Sequence, residues 1–157
     1  IHKIVKKAFE STEHSDGNEQ ELVIMLRKSE AYIPELSLVA EIDGSIVGHI
    51  MFTRAKVGDK FVLALAPLSV LPEYQNKGIG KVLISAGHHI AKKLGYQYSV
   101  VLGSETYYPK SGYIPASRFG IIAPFDVPDK NFMAFKLDDS APVLCGRLKY
   151  DKVFGIE

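Results

Sequence analysis

Apolar residues recur along this chain first at helical spacing, then at alternating spacing, then at helical spacing again. Ile1, Ile4, Val5, Ala8 and Phe9 lie three and four apart, the period of one helix face. No methionine precedes them, so that helix is expected to begin upstream of Ile1. Positions 11–18 are polar and contain Asp16-Gly17, the composition of a loop. Leu22, Val23, Met25 and Leu26 predict a short helix over 19–28. Pro34 is read as an interruption, followed by a strand over 36–42. Asp43-Gly44 tolerates positive φ at both central positions of a tight turn and predicts a hairpin. Its return strand covers 46–57, Gly58-Asp59 makes the next turn, and 61–70 is a third strand. The three are expected to form an antiparallel meander.

Beyond position 70 the pattern changes. Positions 71–77 form a loop and 78–94 a helix with Ile79, Val82, Leu83, Ala86, Ile90 and Leu94 on one face. Gly95 suits the left-handed residue that ends a helix. A short buried strand is expected at 98–102, and strand, helix and strand in this order predict a parallel crossover. A helical turn is expected near 107–111 and strands over 113–122 and 131–137, separated by Pro124 and Pro128. The tail from 138 on has only a weak pattern. No repeat, linker or low-complexity stretch divides residues 1–157, which read as a single α+β domain: a mixed sheet with helices on its faces.

Composition adds exclusions. A length of 157 residues suits one domain, since domains take about 100–200 residues. With 19 basic and 18 acidic residues the net charge is +1, which supplies no electrostatic claim on nucleic acid or an anionic membrane. Aromatic residues do not alternate with basic ones, so no single-stranded nucleic-acid platform is indicated. No apolar run approaches the ~20 residues needed to span a bilayer. Cys145 is the sole cysteine, so it forms neither an internal disulfide nor a cysteine metal site alone. A reducing, cytoplasmic compartment and no metal are expected.

The chemical signal lies in Gln75-Asn76-Lys77-Gly78-Ile79-Gly80-Lys81, between an apolar strand and an amphipathic helix. A helix N-terminus offers free N–H groups and partial positive charge. Glycines there remove Cβ atoms that would hold a ligand oxygen away. Such a corner binds phosphate. Two phosphate motifs are excluded by position: a P-loop needs glycine where Gln75 stands, and a dinucleotide fingerprint needs a third glycine where Leu83 stands.

The run from Leu68 through Leu83, with Gln75-x-x-Gly78-x-Gly80 at its centre, resembles the acyl-coenzyme A motif of the GNAT N-acetyltransferase superfamily. Tyr107-Tyr108-Pro109-Lys110-Ser111-Gly112-Tyr113 is similar to that family's Tyr-x-x-x-Gly-Phe segment, with Tyr113 in place of the usual phenylalanine. The order of elements over 19–137 also fits. The closing stretch, with Gly146, Tyr150 and Phe154-Gly155, is similar to a bacterial branch of the superfamily. The family's usual first strand has no counterpart ahead of Ile1.

The resemblance implies a GNAT-like, mostly antiparallel sheet whose two parallel central strands splay to admit the cofactor. It implies acetyl transfer from acetyl-CoA to a small-molecule or peptide amine by direct attack in a ternary complex. Dimerisation is common in the superfamily, so a homodimer is compatible with it. The amides of Gln75, Asn76, Lys77, Gly78, Ile79, Gly80 and Lys81 would cradle the pyrophosphate. Leu68, Ser69 and Val70 would pair with the pantetheine arm, an amide near Leu68 or Ser69 would hold the oxyanion, and Ser104 and Tyr108 would complete the cofactor site. Pro67 cannot donate to a sheet ladder; it marks either the parting of the strands or a simple bulge. Tyr108 would be the general acid for the leaving thiolate, or else a packing residue in the sulfur region. Tyr107 beside it is expected to point elsewhere.

The proton acceptor is less defined. Positions 61–70 contain no carboxylate, so a glutamate on that strand is excluded. Glu105 is the candidate, directly or through water, with Glu41 and His49 as alternatives. His88-His89 is adjacent on a helix, so the rings diverge and a solvated face is expected rather than a metal pair. Cys145 has no motif that would make it an acyl carrier. Two rival readings remain: a non-catalytic acyl-CoA sensor, and the same fold using another acyl-CoA. The acceptor would be set by the N-terminal helices, the hairpin near Asp43-Gly44 and positions 117–129.

Overall fold

The meander forms the centre of the sheet. The computed structural model describes residues 19–154, so the opening helix and the 11–18 loop lie outside the described residues. Strand β1 (Tyr32–Ile42), strand β2 (Ser45–Val57) and strand β3 (Lys60–Val70) pair antiparallel in sequence. Strand β4 (Tyr98–Leu102) joins β3 in parallel, as the crossover predicts. Strand β7 (Phe132–Lys136) lies antiparallel on β4, and the two-residue β5 (Ile114–Pro115) pairs with β7. On the other flank β8 (Gly146–Lys149) pairs with the end of β2 and in parallel with β6 (Ile121–Ile122). The order is β5-β7-β4-β3-β2-β8-β6, with β1 also on β2.

Alternation along the strands divides the core between two faces. Ile50, Phe52, Leu63, Leu65 and Val101 turn to one face and pack with Leu83, Ile84 and Ala91 of helix α2 (Ile79–Lys93). Ala55, Val57, Val62, Ala64, Tyr98 and Val100 turn to the other, under Ala116, Ile121 and Leu148. Helix α1 (Glu19–Arg27) seats Val23 and Leu26 on Met51.

Four expectations are corrected. Pro34 lies inside β1 rather than ahead of it. The register jumps from Tyr32↔Thr53 to Ser37↔Met51, so Pro34 falls in a stretch with no ladder bond to donate, on an exposed edge. The strand expected over 113–122 is broken into β5, a 3-10 turn at Ala116–Phe119 and β6. Gly120 explains the break: its φ is +80°, and a Cβ there would collide with the Leu144 carbonyl. The weakly patterned tail contains β8, which is too short to show a period. On α2 the buried stripe is Gly80, Leu83, Ile84, Gly87 and Ala91, while Val82 is 68 % exposed and Leu94 45 % exposed. The glycines let the helix sit close: a Cβ on Gly87 would strike the Phe52 ring.

His88 is also corrected. It is not on a solvated face; its ring stacks on Phe135 at 4.2 Å and Nε2 shares a 2.9 Å hydrogen bond with the Tyr113 hydroxyl. That hydroxyl also shares a 2.8 Å bond with the buried Ser99 Oγ. His89 is exposed as expected. The tyrosine at 113, where the family motif carries phenylalanine, is thus matched by two polar partners from α2 and β4. Tyr113→Phe keeps the ring but orphans both partners. It is expected to lower unfolding stability by about 1–3 kcal/mol, the penalty for unsatisfied buried groups; urea unfolding with an unchanged slope checks this.

Candidate functional site

The site begins where β3 and β4 separate. Their ladder holds only Leu63↔Ser99 and Ala64↔Val100. Beyond it β3 stays paired with β2, through Ile50↔Leu68, His49↔Ser69 and Gly48↔Val70, while β4 stays paired with β7 as far as Leu102↔Phe132. The facing edges of the two central strands are therefore open from Leu65 and Val101 onward. The register from Ile50↔Leu68 to Phe52↔Leu65 sets Met51 opposite both Ala66 and Pro67. Pro67 thus sits in a bulge at the point of parting, and its two sequence readings describe one feature. The extra residue also resets the alternation. Leu68 turns towards α2, near Gly80, and Ser69 turns to the opposite face with His49.

The gap leads to the N-terminus of α2. The first helical bond there runs from Val82 N–H to Gly78 O at 3.1 Å, and no side chain caps the end. By helix geometry the N–H groups of Ile79, Gly80 and Lys81 are left without helical acceptors. No acidic residue occupies that first turn. Asn76 (φ +62°) and Gly78 (φ +85°) are left-handed, which turns the loop into the helix. Gly78 has open space where a Cβ would stand, so its requirement is conformational. Gly80 is helical, and a Cβ there would meet the Tyr107 hydroxyl, so its requirement is close approach.

The remaining expected residues divide by where their side chains go. Gln75 Nε2 donates to the Val70 carbonyl at 2.9 Å, tying the loop to the end of β3. Lys77 Nζ lies 5.5 Å from the centre of the Tyr74 ring, and Lys81 is exposed. Ser104 Oγ accepts from the Thr106 and Tyr107 N–H groups, each at 3.2 Å, and so holds the turn that carries the tyrosines. Tyr108 opens a 3-10 turn (Tyr108–Ser111), its ring lies against Gly103 at the end of β4, and it meets Tyr113 edge-on at 5.8 Å. Burial, with the neighbouring Tyr107, pushes its phenol well above the ordinary tyrosine range, so it is held protonated.

Tyr107 departs from expectation. Instead of pointing away, its phenol reaches across to Gly80, and its ring meets Tyr108 edge-on at 5.1 Å. The helical spacing assumed for this segment does not hold, because Tyr107 precedes the 3-10 turn, its N–H held by Ser104 and its carbonyl accepting from Lys110 N–H. A signal was present in the sequence, in the second glycine of the loop, but its partner lay 27 positions away.

The candidate proton acceptors also separate. Glu105 is at the surface, where Asn131 Nδ2 donates to it at 2.8 Å and Lys130 Nζ lies 3.6 Å away. Its own backbone N–H, then Asn131 and Lys130, hold its carboxyl below the usual range. Glu41 is exposed at the hairpin end of β1. His49 is fully buried; its Nε2 shares a 3.2 Å hydrogen bond with Ser37 Oγ, and its Nδ1 has no partner. Burial, with the positive charge of Arg27, lowers its pKa to about 4. Across the ladder, Ser69 Oγ is equally buried and without a partner. On the same face the 117–129 segment encloses a hollow of about 240 Å³ lined by Phe125, Val127, Phe132, Asp126 and Asp129. Cys145 is exposed and free. Among the described residues no helix is long and apolar enough to cross a membrane.

The splayed parallel strands, the uncapped glycine-lined helix start and the tyrosine turn beyond the next strand are the GNAT acetyltransferase arrangement. The model of the acetyltransferase (GNAT) family matches residues 1–113, and the chain belongs to that family. The Escherichia coli (strain K12) protein named uncharacterized N-acetyltransferase YjhQ is 38 % identical over 136 residues, covering 83 % of this chain and 72 % of its own. Among solved structures, a GNAT family acetyltransferase from Brucella melitensis in complex with acetyl-CoA superposes with a TM-score of 0.80. It is 31 % identical and covers 98 % of this chain and 89 % of that one. The Escherichia coli N-acetyltransferase YhbS in complex with CoA superposes with a TM-score of 0.86 at 24 % identity, covering 98 % of this chain and 86 % of that one.

The two buried histidines generate a pH prediction. Burial lowers the pKa of His88 to about 4, as it does that of His49. The unfolded chain therefore binds protons that the folded chain refuses. Their contribution is complete above about pH 6.5 and drains as the pH falls towards 4, at about 1.4 kcal/mol per pH unit for each histidine. His49→Gln combined with His88→Gln is expected to flatten the decline in urea-unfolding stability between pH 6.5 and 5. An equally steep decline in the double variant would contradict the burial assignment.

Proposed function

We propose that the protein transfers an acetyl group from acetyl-CoA to a primary amine by direct attack in a ternary complex. One observation carries this reading: the gap between β3 and β4 runs to an uncapped helix N-terminus whose glycines give an anion access to main-chain nitrogens. The acetyl-CoA and CoA held by the Brucella melitensis and Escherichia coli proteins support the choice of cofactor. The pyrophosphate docks on the amides of Gln75–Lys81, with Lys77 and Lys81 adding positive charge. The pantetheine amides continue the sheet along Leu68, Ser69 and Val70, in the place a parallel neighbour has vacated. An amide near Leu68 or Ser69 faces the thioester oxygen as it gains charge.

The amine nitrogen bonds to the acetyl carbon, the carbon–sulfur bond breaks, and the thiolate takes a proton. Tyr108 supplies that proton, because its buried phenol is protonated at neutral pH. The proton lost by the amine has two possible destinations. Glu105 is already engaged by Asn131 and Lys130, which suits it to a water-linked role rather than direct abstraction. His49 is neutral and has a free Nδ1 beside Ser69, on the face opposite α2 from which the amine would approach. A pKa of about 4 makes His49 a weak base at neutral pH, so its free Nδ1 suits a hydrogen bond that orients an amine arriving unprotonated rather than abstraction of a proton from an ammonium. The open hollow beside 117–129, where Phe125, Val127 and Phe132 meet Ser117, Asp126 and Asp129, would suit an amine that carries both an apolar body and polar groups.

Thiol release from acetyl-CoA, measured across polyamines, peptide α-amines and arylalkylamines, tests the reading; binding without release with every amine would identify a sensor instead. Gly78→Asp and Gly80→Asp are expected to raise the KM for acetyl-CoA sharply, by placing a carboxylate and its side chain in the phosphate corner. Tyr108→Phe is expected to lower kcat with the affinity for acetyl-CoA nearly intact, and an unaltered turnover would remove the general-acid role.

A further inference from the structure

We propose that Tyr107 is a cofactor-binding residue whose phenol forms a movable wall over the first turn of α2 and whose hydroxyl donates to a CoA phosphate oxygen. The inference rests on the acetyl-CoA reading above and adds a residue that its loop motif does not contain. Three observations converge on it. The phenol reaches from the turn after β4 across the mouth of the gap to Gly80, occupying the space a Cβ there would need. Its hydroxyl has no hydrogen-bond partner among the described residues, although it ends beside a helix start whose N–H groups are uncapped. Its root is held by the main chain: Ser104 Oγ accepts from its N–H at 3.2 Å and its carbonyl accepts from Lys110 N–H at 3.3 Å, while its ring meets Tyr108 edge-on, its tip rests on Gly80, and 37 % of the residue is exposed.

A residue that only packed would turn its polar end to water and its ring to apolar neighbours. Here the polar end is set over Gly80, at the spot where a diphosphate would arrive. Docked phosphate and the resting phenol compete for the space over Gly80. The ring therefore swings off the glycine and closes on the nucleotide, replacing a contact with carbon by a hydrogen bond to an anion. Burial raises the hydroxyl's pKa, which keeps its proton available for that bond.

Tyr107→Phe keeps the ring and removes only the hydroxyl. Calorimetric titration is expected to show CoA binding weakened about tenfold or more, the worth of a hydrogen bond to a charged group. The same loss is expected for 3′-phosphoadenosine 5′-diphosphate, which keeps the diphosphate and lacks the pantetheine arm. The melting temperature should not move. Equal CoA affinity in parent and variant would overturn the assignment, as would a loss confined to CoA and absent for the nucleotide. A parent that bound neither ligand would instead defeat the acetyl-CoA reading itself. A second pair of variants tests the geometry without any ligand. Gly80→Ala is expected to lower the melting temperature in the parent and to be tolerated in a Tyr107→Ala background; equal effects in both would show that the phenol does not rest on Gly80.

Discussion

A sheet strand can satisfy its backbone on two sides, and this fold withholds one of them. β3 keeps its ladder with β2 to its last residue while its ladder with β4 stops at Ala64↔Val100. Unpaired strand edges inside a domain are costly unless something else bonds to them. An acyl carrier with amides of its own is such a partner, and in the proposed complex it would complete the sheet. The bulge at Ala66–Pro67 makes the separation possible without unravelling β2 and β3. By adding one residue it also restores Leu68 to the α2 side and sends Ser69 to the other. One local insertion thus opens the gap and sets which side chains face each half of the reaction.

The phosphate corner depends on how closely α2 can lie. Gly48 under the helix start, Gly80 under Tyr107 and Gly87 over Phe52 each sit where a methyl group would press on a neighbour. With these contacts the helix is held close against the β2–β3 pair, and its uncapped start stands at the end of the gap. Charge adds little to that arrangement, since the loop lysines are exposed and one lies along a tyrosine ring. In the proposed docking the main chain, rather than side-chain charge, would provide most of the anion site.

Much of this was legible in the sequence because it was local. The Asp43-Gly44 and Gly58-Asp59 turns, the alternating strands and the glycine loop ahead of an amphipathic stretch each announce themselves within a few residues, and the structure has all of them. What escaped was set by distant partners. Pro34 reads as a breaker until β1 is known to be an unpaired edge at that point. His88 reads as solvated until Phe135 and Tyr113 are brought against it. β8 is four residues long and becomes a strand only because β2 and β6 offer it edges. Tyr107 and Gly80 illustrate the same limit inside the site, where a glycine fitted to the phosphate motif is also fitted to a phenol.

In the proposed reaction the two faces of the sheet would carry different halves of the chemistry. On the α2 face Tyr113, Ser99 and His88 satisfy one another, although Arg54 Nε and Ser111 Oγ are buried there without partners. On the opposite face His49 Nδ1, Ser69 Oγ and Thr53 Oγ1 are buried with no partner, and each would be expected to cost free energy in a purely structural role. That difference would follow from what each face must do. The cofactor face has to be rigid, because main-chain nitrogens bind an anion only if their directions are fixed. In the proposed reaction the opposite face would exchange one hydrogen-bonding partner for another as an amine arrives, loses a proton and leaves as an amide. A fully satisfied network there would resist each of those exchanges, and the unpaired capacity at His49 and Ser69 is what the proposed reaction would use.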